Sequence, residues 1–415
     1  MREETDVATA LKADAPPSGR SERRHGTGFW LAGYVFAITI AFSAVPAPLY
    51  VLYQARDHFG ALLVTIIFSV YALGVAASLF LVGHVSDWLG RRRILLIAVA
   101  VNMAAGLLFL LWPTVPGLII GRIVSGVSIG MLTATATAYL SELHTAARPG
   151  APRQRAEIVA AAASLGGLGF GPLLAGFLAQ YAGAPLIVPY LVFEVLMAIA
   201  CAVLLVTPET VRPPQERRRY RPQRVKVPAA SRSTFFAAGA AVAVAFSLFG
   251  LFTSLAPGFL AGTLHDRSHA LAGVATAIVF GAAAVAQIGT SRTHLRRQLG
   301  LGLSLLVLGL IGVTVAVWSP SLALLLAGGA LAGAGAGAVF KGGISTVLDI
   351  APDEAKGEAL AGMFLAAYLG LAVPVIGLGF ATQAFSARTA LLGFSALLVV
   401  VIALVARKLL ARRPA

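Results

Sequence analysis

Gly83-His84-Val85-Ser86-Asp87-Trp88-Leu89-Gly90-Arg91-Arg92-Arg93 joins two long apolar runs. Each flanking run is about 20 residues long, enough to cross roughly 30 Å of hydrocarbon as a helix. A polar connection this short makes the two helices antiparallel neighbours. Its three consecutive arginines fix the side of the membrane it faces, because cationic loops are retained on the cytoplasmic side.

Working outward, the rest of the chain has the same character. The 415 residues are 58% apolar and only 12% charged, with a mean hydropathy of +0.85. This excludes an ordinary water-soluble domain. The 44 glycines and 21 prolines would break soluble helices, but helix bundles in lipid tolerate them and use small residues for close contact. The net charge of +15 does not point to nucleic acid, since the basic residues fall in short loops rather than on one amphipathic face. The single cysteine, Cys201, lies in an apolar run, which leaves no intramolecular disulfide and no cysteine-based metal site. The histidines have no metal-ligand spacing, and no phosphate-binding glycine loop follows a strand. No metal, cofactor or catalytic residue is therefore expected.

Apolar periodicity predicts an all-α membrane protein of twelve spans, at about 28–52, 61–83, 92–112, 115–140, 155–180, 185–207, 234–258, 268–290, 299–317, 321–346, 358–381 and 387–408. Of the 32 lysines and arginines, Arg56, Arg267 and Arg388 face outward and Arg122 and Lys341 lie within spans. The remainder share one side with both termini, as the positive-inside rule requires. The reading gives a disordered tail over 1–27, a six-helix bundle over 28–207, a basic linker over 208–233, a second bundle over 234–408 and a tail over 409–415. The linker is read as solvated chain touching anionic head groups. Gly289 to Gln298 echoes the opening loop, with Thr293 for the aspartate and Arg296 for the second glycine. Pro172 has a rough counterpart in Pro374.

The opening loop can do more than set topology. Asp87 can cap the third span and pair with nearby arginines, and bonds of this kind can form in one bundle arrangement and break in another. Gly-x-x-x-Asp-x-x-Gly-Arg-Arg between spans two and three resembles the signature of the major facilitator superfamily. Trp88 stands where that family usually carries a basic residue. The resemblance implies two pseudo-symmetric six-helix bundles, alternating access about a site between them, and a conformational latch at Gly83, Asp87, Gly90, Arg91 and Arg92.

Three further stretches bear on mechanism. Arg122 in span four is followed by Gly126 and Gly130, like the Arg-x-x-x-Gly stretch of the superfamily's proton-coupled carriers. It either serves coupling or snorkels outward. Span five carries Gly167, Gly171, Pro172 and Gly176, similar to the antiporter stretch of drug exporters, with Ala175 replacing one glycine; ordinary small-residue packing is the alternative. Glu194, near the middle of span six, is a candidate proton carrier that either faces the cavity, pairs with Arg122 or bonds a neighbouring helix. Span ten places Gly329, Gly333 and Gly337 in a packing stripe above Lys341, for which snorkelling is the favoured reading. Asp349, Asp353, Glu354 and Glu358 follow and could meet the loop arginines across the halves.

Tyr34, Tyr71, Gln287, Lys341 and Tyr368 are the polar groups expected to line a cavity, and Tyr50 and Tyr53 suit an interfacial belt. The resemblance is closest to drug/proton antiporter members with twelve spans. It implies a multi-pass protein of the cytoplasmic membrane, with both termini cytoplasmic. Its activity would be proton-coupled efflux of a small amphipathic or hydrophobic molecule. Sugar or metabolite transport, or a non-transporting sensor on the same fold, are the alternatives. Expected partners are a small-molecule substrate, protons and the lipid bilayer, with no nucleic acid; the chain is expected to be a monomer, and no enzymatic activity is expected.

Overall fold

A computed structural model describes residues 19–82, 85–211, 231–352 and 355–411, with side chains from Glu22 onward. Gly83, Asp353, Glu354, most of the basic linker and the outer parts of both tails lie outside the described residues. Among the described residues every regular element is helical, and twelve helices are long and apolar enough to cross a membrane. The spans run Glu22–Asp57, Ala61–Val82, Arg91–Leu111, Val115–Ala147, Gln154–Tyr181 and Val188–Val206 in the first half. The second half holds Arg232–Ser254, His269–Arg292, Leu295–Trp318, Leu322–Ile350, Lys356–Ala384 and Ala387–Leu410. The expected twelve are recovered in order, and the main departures are longer ends. The first helix begins at Gly19, so residues 19–27 are helical rather than disordered. Glu22 in its first turn favours the positive helix end, and Gly28 sits against Thr207 and Pro208.

Local chemistry explains where helices start. Spans four and six open with Pro116 and Pro189 in the first turn, where a missing N–H costs nothing. Spans eight, ten and twelve instead open on serine caps, with Ser268, Ser321 and Ser386 accepting from the N–H groups of Leu271, Leu324 and Thr389. Spans one and seven share a different device. Each is interrupted near its far end, at Val45 and Leu255, and resumes as a helix with a proline in its first turn, Pro46–Asp57 and Ala256–Gly262. His58 and His265, just beyond these extensions, both take a left-handed conformation, with φ of 54° and 55°. The repeat seen faintly in the sequence is thus present in backbone detail.

Packing follows the same symmetry. Spans one and five pair as seven and eleven do, two and four as eight and ten, three and four as nine and ten, and three and six as nine and twelve. Glycines make these contacts close. A methyl group on Gly126 or Gly130 would strike the carbonyls of Tyr71 and Val75 in span two, and one on Gly333 or Gly337 would strike those of Val279 and Ala283 in span eight. Exposed leucine, isoleucine, valine and phenylalanine side chains are distributed around the outside, which suits contact with lipid tails.

The halves meet through two related pairs, span two on eleven and span five on eight. Both contacts are tight away from the arginine-rich loops. Gly379 lies against Thr65, Gly176 against the His269 carbonyl, and Gly273 against the Pro172 carbonyl. The Ser69 hydroxyl donates to the Ala372 carbonyl, 3.4 Å away, and the Pro46–Asp57 and Ala256–Gly262 extensions touch. Toward the end that carries Arg91–Arg93 and both described chain ends, termed the basic end below, the halves part around a cavity.

Candidate functional site

The cavity between the halves has a volume of about 760 Å³. At the basic end its lining includes the exposed residues Asp87, Glu157 and Gly357, so it opens there. At the other end it is blind, closed beneath Ala47 and Tyr50 of the proline-initiated extension. The walls are mainly apolar. The second half contributes an aromatic box in which Phe246 meets Phe249, Phe340 and Tyr368 with ring centroids 5.6, 5.2 and 5.9 Å away, and Phe249 stacks on Phe280 at 4.7 Å.

Arg122 stands at the blind end. Span four begins there at Val115, so its second turn points the guanidinium inward, and the side chain is buried at 3% exposure. It is therefore a cavity residue and does not snorkel. One Nη1–H donates to the Ser43 carbonyl, and the guanidinium carbon lies 4.4 Å from the Tyr71 ring centroid and 5.5 Å from that of Phe68. No carboxylate pairs with it among the described residues, and its Nε has no partner. The Tyr50 hydroxyl, also lining the blind end and 1% exposed, has none either.

Of the polar groups expected in a cavity, Tyr71, Gln287, Lys341 and Tyr368 line it. Lys341 is therefore part of the cavity wall, beside Phe340, rather than only a topology marker. Tyr34 is not: its hydroxyl donates to the Leu196 carbonyl at 3.1 Å and ties span one to span six. Tyr50 and Tyr53 do not form an interfacial belt. Both are buried, and the Tyr53 hydroxyl donates to that of Tyr190 at 3.2 Å. The reason is that span one extends to Asp57 and neighbouring helices cover its far end.

Glu194 is not where a joint site with Arg122 requires it. It is half-buried between spans six and three, where a methyl group on Gly106 would strike its Oε1, and it is absent from the cavity lining. That oxygen has no hydrogen-bond partner. Span three carries a separate buried network one turn away: Asn102 donates to the Thr39 carbonyl at 2.8 Å and accepts from Ser125 at 2.9 Å.

The span-five residues serve two contacts. Gly167 and Gly171 let span one approach, against the Ala37 and Ala41 carbonyls, whereas Pro172 and Gly176 face span eight of the other half. The helix runs unbroken from Gln154 to Tyr181 through Pro172.

The charged loop is bound within the first half. Arg91 pairs with Asp87 at 2.5 Å and with Glu142 of span four at 2.9 Å, and donates to the Ser86 hydroxyl at 2.6 Å. Asp87 does not cap span three, because it lies in its own turn, Ser86–Leu89, with 58% of its side chain exposed. The cap is Glu209, whose carboxylate accepts from the backbone N–H groups of Arg91 and Arg92 at 2.9 and 3.1 Å. Gly90 makes this possible: its φ of 99° disfavours a side chain, and a methyl group would meet the Glu209 carboxylate. The described start of the linker is thus docked, with Tyr139 donating to the Pro208 carbonyl at 2.6 Å and Arg92 to that of Thr207 at 3.2 Å. Among the described residues no ion pair joins the loop arginines to Asp349 or Glu358. In the echo of the second half a neutral bond stands at the equivalent turn, Gln298 donating to the Thr290 hydroxyl at 3.0 Å.

Two pseudo-symmetric six-helix bundles around a membrane-embedded central cavity define a transporter architecture, not an enzyme. The chain belongs to the Major Facilitator Superfamily, whose model matches residues 27–308. Its fold is shared with the crystal structure of the human organic anion transporter MFSD10 (TETRAN), at a TM-score of 0.65 and 18% identity, over 94% of this chain and 100% of that one. No curated protein gives a significant match.

Proposed function

We propose that the chain is a secondary transporter that works by alternating access and exports a small amphipathic molecule in exchange for protons. The carrying observation is the cavity itself. It is wide enough for a drug-sized molecule, walled by aromatic rings from one half and closed by a buried cation from the other. The excess of basic residues at the end where it opens supports reading that end as cytoplasmic and this arrangement as the inward-open form. Pro172 and Gly176 of span five support export, because they lie where the halves must move against each other.

Arg122 and Glu194 carry separate tasks in this reading. Arg122 meets the substrate, and Glu194, an unpartnered carboxyl within the membrane, exchanges the proton. Asp87 and Arg91, at the cavity mouth, form the element that re-pairs when the mouth closes. The test is reconstitution into vesicles with an imposed pH gradient and a compound panel. Arg122→Ala is expected to abolish exchange, and Glu194→Gln to leave exchange that no longer responds to the gradient. Gradient-driven exchange that survives both changes would overturn the assignment.

A further inference from the structure

We infer that the blind end of the cavity is an anion site: the transported molecule carries a carboxylate, sulfonate or similar oxyanion that binds Arg122 and Tyr50, while its apolar body lies in the aromatic box. The inference rests on reading the cavity as the transport site. It starts from an electrostatic imbalance. A buried guanidinium needs a counter-charge or a full set of hydrogen-bond acceptors, and its planar fork suits the two oxygens of a carboxylate. Arg122 has one carbonyl, from Ser43, and two aromatic faces, with its Nε left over.

The donor next to this imbalance is also idle. The Tyr50 hydroxyl is buried, lines the same end of the cavity and bonds nothing. Two donor groups on different helices, one of them charged, thus lie at the same end of the cavity with no hydrogen-bond partner among the described residues. The carboxylates that line the cavity, Asp87 and Glu157, are both at the open end, and Asp87 is already held by Arg91. A cationic substrate therefore finds no counter-ion at the blind end. An anion meets Lys341 on the wall and Arg122 at the tip, an arrangement that attracts negative charge inward.

The aromatic box fixes the rest of the molecule. Phe246, Phe340 and Tyr368 present ring faces and edges that suit a flat or branched apolar body, and a neutral sugar would leave its hydroxyls unpaired against them. The class is thus an amphipathic organic anion.

The test uses the purified full-length chain in lipid nanodiscs and three probes of one size: 1-naphthoate, neutral 1-naphthamide and the 1-naphthylmethylammonium cation. Naphthoate is expected to bind at least about tenfold more tightly than either of the others, the worth of one charge-assisted contact. Arg122→Gln should erase that preference by weakening naphthoate more than the amide, Arg122→Lys should retain part of it, and Tyr50→Phe should weaken naphthoate more than the cation. If Arg122→Gln does not fold, the lysine and phenylalanine variants decide. Equal binding of the three probes, tighter binding of the cation, no saturable binding, or a preference that none of the variants alters overturns the inference. Counterflow of the same probes in vesicles separates the two readings. Arg122-dependent naphthoate binding without counterflow leaves the anion site standing and overturns transport. Counterflow of amide or cation that ignores Arg122 leaves transport standing and overturns the anion site.

Discussion

At the scale of single residues, position on the helix circumference decides role. Arg122 and Tyr34 are both polar groups inside apolar spans, yet one lines the cavity and the other ties two helices together. Tyr34→Phe is therefore expected to leave substrate affinity and transport unchanged. It should cost about 0.5–1.5 kcal/mol of stability, the usual worth of one hydrogen bond, read as a small fall in the melting temperature. Arg122→Lys should behave in the opposite way, folding normally but transporting more slowly, because an ammonium keeps the charge and cannot reproduce the fork that spans Ser43 and the two rings. The residue types were legible in the sequence, and Arg122 stood out because charge in a span is costly. Which way each side chain points was not. Helices that meet protein on several sides carry little amphipathic signal, so Tyr34 and Tyr71 look alike until their neighbours are known.

At the scale of elements, the first turn of span three shows how a short loop depends on residues far along the chain. Its two leading N–H groups are satisfied by Glu209, more than a hundred residues later. Glu209→Ala should cost about 1–2 kcal/mol, as loss of a helix cap does, and speed amide hydrogen exchange at Arg91 and Arg92. Asp87→Asn should cost less than about 1 kcal/mol, since the Asp87 side chain is 58% exposed and Arg91 keeps Glu142 as a partner, and its effect should appear in transport rate instead. The close helix pairs make a third prediction. Gly126→Val drives a branched side chain into the Tyr71 carbonyl, so it should destabilise by about 1–3 kcal/mol or more and lower the yield of folded protein. Spans and small-residue stripes could be read from sequence because each is set by local composition. The Glu142 and Glu209 partners could not, because nothing local marks a carboxylate as the partner of a distant arginine. Pro208-Glu209-Thr210, directly after an apolar run, was the available hint.

At the scale of the whole molecule, one repeat builds both halves but gives a buried arginine and an ion-paired loop only to the first. The first half has the buried arginine and the charged loop. The second has the aromatic box and a neutral Gln298–Thr290 bond at the equivalent turn. The hydropathy pattern was sufficient for twelve spans and two bundles. The cavity was not legible, since its lining draws on segments from Phe36 to Leu371. The central claim is that the contacts now closing the blind end must open for transport to proceed. Cys201 is the chain's only cysteine, so Cys201→Ala supplies a cysteine-free background. Placing cysteines at Ser69 and Ala372, which touch across the halves there, allows a short bifunctional thiol reagent to tie spans two and eleven together. The most direct measurement is vesicle transport by this pair before linkage, after linkage and after the link is cleaved by reductant. The account predicts normal transport, then none while substrate still binds from the open end, then recovery. Transport that continues at full rate with the two spans tied would contradict it.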